Sequence, residues 1–465
     1  MGAIGTDLTK GHVTKQLVTF AVPFMLSNAL QAVYSMVDML IVGNVVGETG
    51  ISAVNNASML VMLMTTLCMG FSSSGQVYIA QLVGAGKKRE LNDAIGTLFT
   101  TMFLLAGAMT AVSLLLCDVL LRLLDVQPGA YAGARGYMLI CGGGIAFTYG
   151  YNMISAVLRG MGESRRPLLF IAIASVVNLI LDLLFVVLFR WGVAGAAWAT
   201  IIGQGLSFLV SIVYLYRRRE AFGFDSRRES FRIKKPPFMV LVRLGIPFAI
   251  QMSAISISML FVNRLINSFG GLSCSAAFGV SSKVQQVPDI VSRSIGMASS
   301  SMIGQNLAAG EIDRAKKVVH TGLWMCVAIY VVVVSVLLAF PREIFSVFTK
   351  EESVLRYARA AVIAFAVSSP AFMMMPSFNA FIQGIGNAVF SLVVAITDGV
   401  IARVSLSWLL GVVLGTSFFG NTLGMGDLGP AFGFFLGYNL AAYVTAIPSA
   451  VYVVSERWRK RALLV

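Results

Sequence analysis

Apolar residues run along this chain in blocks of twenty or more, separated by short polar or basic punctuation. Each block is long enough to cross a hydrocarbon core about 30 Å thick and far longer than a barrel strand. The pattern predicts an all-α polytopic membrane protein with twelve transmembrane helices. The expected spans are 17–46, 52–83, 94–117, 135–158, 167–190, 192–216, 238–268, 275–307, 318–340, 357–382, 389–415 and 430–454. One long linker, 217–237, parts the two sets of six. It reads RRREAFGFDSRRESFRIKKPP. The expected organisation is a lobe over 1–216, a basic cytoplasmic linker over 217–237 and a second lobe over 238–465.

The two sets resemble one another. Residues 23–162 return as a faded copy at 247–386, at a constant offset and without a gap. Pro23-Phe24 returns as Pro247-Phe248, Gly47 as Gly271, QLVGAGKKRE (81–90) as QNLAAGEIDR (305–314), and RGMGE (159–163) as QGIGN (383–387). The matches fall on residues that punctuate helices. A weak internal repeat in a strongly apolar chain marks a secondary transporter built from related halves. With six spans per half, both halves enter the membrane from the same side. Two six-helix lobes related by a pseudo-two-fold axis along the membrane normal are therefore expected, with a central cavity opened alternately to either side.

Composition sharpens this picture. Of the 465 residues, 57% are apolar and only 12% charged, about half the charged share of a soluble domain. The net charge of +14 is not a nucleic-acid footprint, because the basic residues sit in short loops rather than on one amphipathic face. With the N-terminus placed in the cytoplasm, 24 of the 35 Lys and Arg fall on the cytoplasmic side and seven outside, so both termini are expected inside the cell membrane. The first run contains Pro23 and Asp38 and no small-residue cleavage motif, so it reads as a retained span. The five cysteines show no metal spacing, and His12 and His320 are isolated; no enzyme, cofactor or metal centre is expected. VGAGKKRE (83–90) lacks the first glycine and the Ser or Thr of a phosphate loop. Transport must then draw on an ion gradient or a partner.

Two carboxylates stand alone in the first six spans: Asp38 in span 1 and Asp182 in span 5. Apart from Arg135 and Arg190 at the very ends of their spans, no Lys or Arg falls within those predicted spans, so an ion pair inside that lobe is not available. Each acid must be protonated, hydrated or neutralised by a bound cation. Asp38, Asp182 and Thr200 each lie eight residues from the outer end of their spans, about 12 Å deep. Asn178 shares the face of Asp182 one turn deeper. These four could converge as oxygen ligands for H+ or a small hard cation; a structural hydrogen-bond network is the alternative. Gln31 and Tyr34 share the Asp38 face and are expected to look into the cavity. At the repeat positions of Asp38 and Asp182 the second half has Val262 and Leu406, and it carries Arg264, Lys283, Arg293, Arg403, Asp289 and Asp398 instead. Asp289 and Arg293 are spaced for a structural i,i+4 pair. Gln251, Asn263, Arg264, Lys283 and Gln285 are candidate walls of a polar substrate cavity, with snorkelling or interhelical hydrogen bonding as the alternative.

The segments PFMLSNALQAVYSMVDMLIVGNVVG (23–47), AQLVGAGKKRE (80–90), LRGMGESRRP (158–167), NLILDLLFVVLFRWGVAGAAWAT (178–200) and IGQNLAAGEIDRAKK (303–317) resemble the multidrug and toxic compound extrusion (MATE) family. The resemblance implies two six-helix lobes in a V that expel organic cations in exchange for H+ or Na+. It also implies a first-lobe cation site of two Asp, an Asn and a Thr, matching Asp38, Asp182, Asn178 and Thr200. Spans 7 and 10 carry no Asp or Glu, which departs from the NorM-like branch and is closer to the DinF-like one. The family frequently has Pro after the span 5 Asp; here it is Leu183. The expectation is a monomeric antiporter for cationic or amphipathic small molecules, embedded in the lipid bilayer. A flippase for a lipid-linked precursor, of the related superfamily, is the second reading, kept open by the basic second half.

Overall fold

The computed structural model describes residues 7–124, 126–220, 222–225, 227–460 and 463–465, without the side chains of 255, 256 and 460. The first half forms α1 (Val13–Val46), α2 (Glu48–Gly84), α3 (Lys88–Leu123), α4 (Pro128–Gly143), α5 (Ile145–Gly160), α6 (Arg165–Asp182) and α7 (Gly192–Arg217). The second forms α8 (Lys235–Leu265), α9 (Gly271–Ala308), α10 (Ile312–Ala339), the short α11 (Pro341–Ser346) and α12 (Glu352–Leu355), α13 (Ala358–Ile385), α14 (Ala388–Ile396), α15 (Arg403–Ser407), α16 (Gly429–Leu440) and α17 (Ala442–Val454).

Among the described residues, ten helical runs are long and apolar enough to cross a membrane. They cover eleven of the twelve predicted spans. The run Arg228–Ala308 holds both α8 and α9, while the fourth span is cut at Gly144 into two pieces of 16 residues, each too short alone. The cut has a local cause. Gly142, Gly143 and Gly144 are poor helix formers in succession. Gly142 also lies against Ser113 of α3, where a Cβ would meet the hydroxyl at 1.8 Å, and Gly144 lies against Ile201 of α7.

The packing divides into two compact units. One comprises the described residues up to Ala249 with Gly304–Glu311 and Leu464–Val465; the other comprises Ile250–Ile303 and Ile312–Leu463. In the first, α2 packs on α3, α4 and α5, and α6 lies between α1 and α7. In the second, α13 packs on α10, α16 and α17, and α16 on α15 and the π-helical segments beside it.

The repeat acquires a physical reason here. Gly47 and Gly271, Gly86 and Gly310, and Gly162 and Gly386 all have φ between +69° and +83°. Each pair keeps the offset of the sequence repeat and turns the chain between the same two helices of its half. Only glycine takes this conformation without strain. A close helix contact repeats as well. Gly160 lies on Gln76 and Ile79, and Gly384 lies on Ser300 and Ile303, each residue at the repeat position of its counterpart.

The linker reads as a polar tether, but its second part is docked on α3. The Asp225 backbone N–H donates to Asn92 Oδ1 (3.1 Å), Asn92 Nδ2 donates to Ser230 Oγ (3.1 Å), and the Ser230 hydroxyl donates to Asp225. Lys234 pairs with Asp93 (3.0 Å), and Phe231 stands edge-on to Phe99 and Phe224. Gly96 leaves room for the strap: a Cβ there would lie 1.8 Å from Ser230 O.

The Ser230 hydroxyl and the Arg227 backbone N–H hold the Asp225 carboxyl below its ordinary value. Its contribution to docking is therefore full above about pH 4 and is lost as pH falls through the lower folded value. Asp225→Asn and Gly96→Val should each speed amide exchange across 222–232 at pH 7 while leaving α2 and α5 protected, as read by hydrogen–deuterium exchange.

Candidate cation-binding site

Asp38 and Asp182 reach the interior of the first unit from adjacent helices, α1 and α6. Asp38 is 9% exposed, Asn178 4% and Asp182 1%. One oxygen of each acid, Asp38 Oδ1 and Asp182 Oδ1, is buried without a hydrogen-bond partner. The two carboxyl groups lie within electrostatic reach of one another. Asn178 Nδ2 donates to Thr200 Oγ1 across the α6–α7 contact at 3.4 Å. Among the described residues no group of three or more His, Cys, Asp or Glu that could hold a metal ion is present.

The helices meet closely here because of glycine. A Cβ at Gly203, one turn beyond Thr200, would lie 2.9 Å from Ala174 O and 3.3 Å from Asn178 Cβ. After Asp182 the helix widens into a π-helical segment, Leu183–Leu188, and ends in a turn where Phe185 stacks on Trp191 at 4.7 Å. Leu183, which stands where the family frequently has Pro, is where this widening begins. It is a feature of the scaffold, since a π-helical segment recurs at Trp408–Val413, close to the repeat position.

The structure adds residues that the sequence reading passed over. Tyr137 and Cys141 of α4 lie within electrostatic reach of Asp38, as does Tyr34. Ser175, with a buried hydroxyl lacking a partner, shares the α6 face of Asn178 and Asp182. Gln31 and Tyr34 are part-buried. Arg159 is in the last turn of α5 and turned inward. Its Nε donates to Gln76 Oε1 (2.9 Å), and its guanidinium lies 5.9 Å from the Phe24 ring.

In the second unit Asp289 and Arg293 do pair, at 3.6 Å, and Tyr330 donates to Asp289. Asp398 and Arg403 form a pair that spacing did not suggest. Asp398 is 3% exposed and Arg403 7%. Arg403 Nη2 donates to Asp398 Oδ1 (3.0 Å), Thr445 donates to Asp398 Oδ2 (2.9 Å), and the guanidinium lies 4.6 Å from the Tyr438 ring. Five residues along an α-helix are about 140° apart. The π-helical segment Thr397–Ala402 brings i and i+5 together. Of the expected cavity wall, Gln251, Asn263 and Gln285 are part-buried while Arg264 and Lys283 are exposed. Gln285 donates to Ser281 of its own helix (3.0 Å).

Repeated halves built of helices long and apolar enough to cross a membrane define a polytopic membrane protein. The MatE family model matches residues 23–184 and 247–409, two stretches that begin at the repeated Pro-Phe pairs and together cover well over half of the chain. The chain belongs to the MatE family; it is a multi-pass membrane transporter of small molecules, not an enzyme. It is similar to the probable multidrug resistance protein YpnP of Bacillus subtilis, 33% identical over 66% of this chain and 68% of that protein. The probable multidrug resistance protein YoeA of the same organism is 30% identical over 75% and 76%. Among solved structures, an outward-facing multidrug resistance MATE family transporter of the MOP superfamily matches with a TM-score of 0.88 at 21% identity, over 98% of this chain and 99% of that one. A MOP superfamily transporter from Pyrococcus furiosus matches with a TM-score of 0.87 at 21% identity, over 99% and 100%. These structures share the fold.

Two substitutions check the geometry. Gly203→Val should separate α6 from α7 at Asn178 and destabilise the protein by about 1–3 kcal/mol in thermal unfolding. Arg403→Met strands a buried carboxylate and should destabilise by about 3–5 kcal/mol, whereas adding Asp398→Leu should recover most of that loss.

Proposed function

We propose that this transporter is a secondary multidrug efflux antiporter, exporting organic cations or amphipathic compounds in exchange for H+ or Na+. The observation that carries the reading is the pair of buried acid oxygens, Asp38 Oδ1 and Asp182 Oδ1, left without partners beside Asn178 and Thr200. Acids that fold without counter-charges need a titratable or exchangeable cation. Its uptake and release at Asp38 and Asp182 alter the packing of α1 against α6. Coupling then resides in residues 1–216, with 217–237 as the connecting segment and 238–465 as the partner lobe, both termini cytoplasmic and the protein a monomer in the cell membrane. Alternating access of a central cavity follows from exclusive binding: the ionised site accepts either the coupling ion or substrate-linked charge. The similarity to YpnP and YoeA supports multidrug substrates. A flippase of a lipid-linked precursor is the second reading, favoured by the exposed Arg264 and Lys283.

Right-side-out vesicles loaded with a cationic dye test this. Wild type should extrude dye when a pH or a Na+ gradient is imposed, and the gradient that works names the coupling ion. Asp38→Asn and Asp182→Asn should each lower exchange at least about 100-fold, while the purified variants remain folded. Undiminished active efflux by Asp38→Asn would overturn the assignment. Lipid-precursor translocation without any dye flux would favour the second reading.

A further inference from the structure

Arg264 lines an open groove of about 360 Å³ in the second unit. Phe261, Arg264, Leu265 and Ser268 fall at i, i+3, i+4 and i+7 along α8 and the π-helical turn that follows it, Phe269 comes next, and Val404 of α15 forms the opposite wall. Four apolar side chains thus surround one cation and one hydroxyl. The intramembrane acids of this unit are already committed, Asp289 to Arg293 and Asp398 to Arg403 and Thr445. Arg264 forms no ion pair among the described residues. It lies six residues before Gly270, where the helical run ends, about 9 Å below that end at 1.5 Å per residue. An arginine stem can snorkel over such a distance, which puts the guanidinium at the boundary between hydrocarbon and headgroups, with Ser268 nearer the surface. Phe261 and Phe269 are 54% and 58% exposed, as a surface that meets acyl chains would be.

We propose that this groove holds one anionic phospholipid from the leaflet opposite the linker. The lipid phosphate is held by the Arg264 guanidinium and the Ser268 hydroxyl, and the upper part of an acyl chain lies along Phe261, Leu265, Phe269 and Val404. Guanidinium matches phosphate through paired, charge-assisted hydrogen bonds. The apolar walls favour a phosphate that carries a chain over a free one, and the lone cation disfavours the organic cations of the proposed transport cycle. The inference is independent of that cycle.

The test uses the purified full chain, stripped of lipid in detergent and titrated with phosphatidylglycerol or phosphatidylcholine, with bound lipid read by native mass spectrometry. Arg264→Gln should weaken phosphatidylglycerol binding about tenfold and phosphatidylcholine binding little; Arg264→Lys should retain most of the preference. Val404→Phe, which fills the groove without changing charge, should also displace the lipid. Inorganic phosphate at millimolar concentration should not compete. Unchanged phosphatidylglycerol binding by Arg264→Gln, or by Val404→Phe should the first variant fail to fold, overturns the proposal. So does displacement of the lipid by phosphate alone. Loss of dye efflux by Arg264→Gln with lipid binding intact would reassign the groove to substrate.

Discussion

A carboxylate oxygen enclosed by apolar helices and given no donor is unfavourable by several kcal/mol, and the organisation of this transporter follows from how each half meets that constraint. In the first unit, Asp38 Oδ1 and Asp182 Oδ1 are left open, with Asn178 and Thr200 beside them. In the second, both oxygens of Asp398 are closed off by Arg403 and Thr445. An open acid can take up and release a cation; one already paired with an arginine has its charge cancelled within the fold. The same helical scaffold therefore carries two opposite electrostatic solutions.

The scaffold itself is held constant by backbone requirements. Left-handed glycines turn the chain at three pairs of matching junctions, and Gly160 and Gly384 let corresponding helices touch through the same small contact. Side chains elsewhere are free to diverge because hydrocarbon and packing ask only that they be apolar and of suitable volume. Even the widened segment after Asp182 has its counterpart at Trp408–Val413, whereas the one at Thr397–Ala402 corresponds to regular α-helix within α6. The added π-helical turn is the structural device that makes the second unit electrostatically different.

Hydropathy made the spans legible because a membrane span must satisfy its own backbone and present apolar side chains along some twenty residues. The acids of the first unit were legible for the same reason: a carboxylate in such a run contradicts its surroundings. The docked strap over α3 was not legible. Its hydrogen bonds join Asn92 to Asp225 and Ser230, far apart along the chain, and nothing local distinguishes them from an ordinary polar loop. The inward bond of Arg159 to Gln76 was not legible either, because the sequence does not give the direction of a cation at a helix end.

The sequence by itself determined the helical membrane architecture, the repeat, and the positions of Asp38, Asp182, Asn178 and Thr200 along their helices, since these depend on length, periodicity and position along single helices. Only the tertiary structure decided which polar groups find partners. It joined Asn178 to Thr200 through the contact that Gly203 permits, and Asp398 to Arg403 through a helix with a different period. It also set Arg264 among aromatic and aliphatic walls. Partnership depends on the distance and direction between side chains on different turns and different helices, and the order of residues along the chain does not contain it.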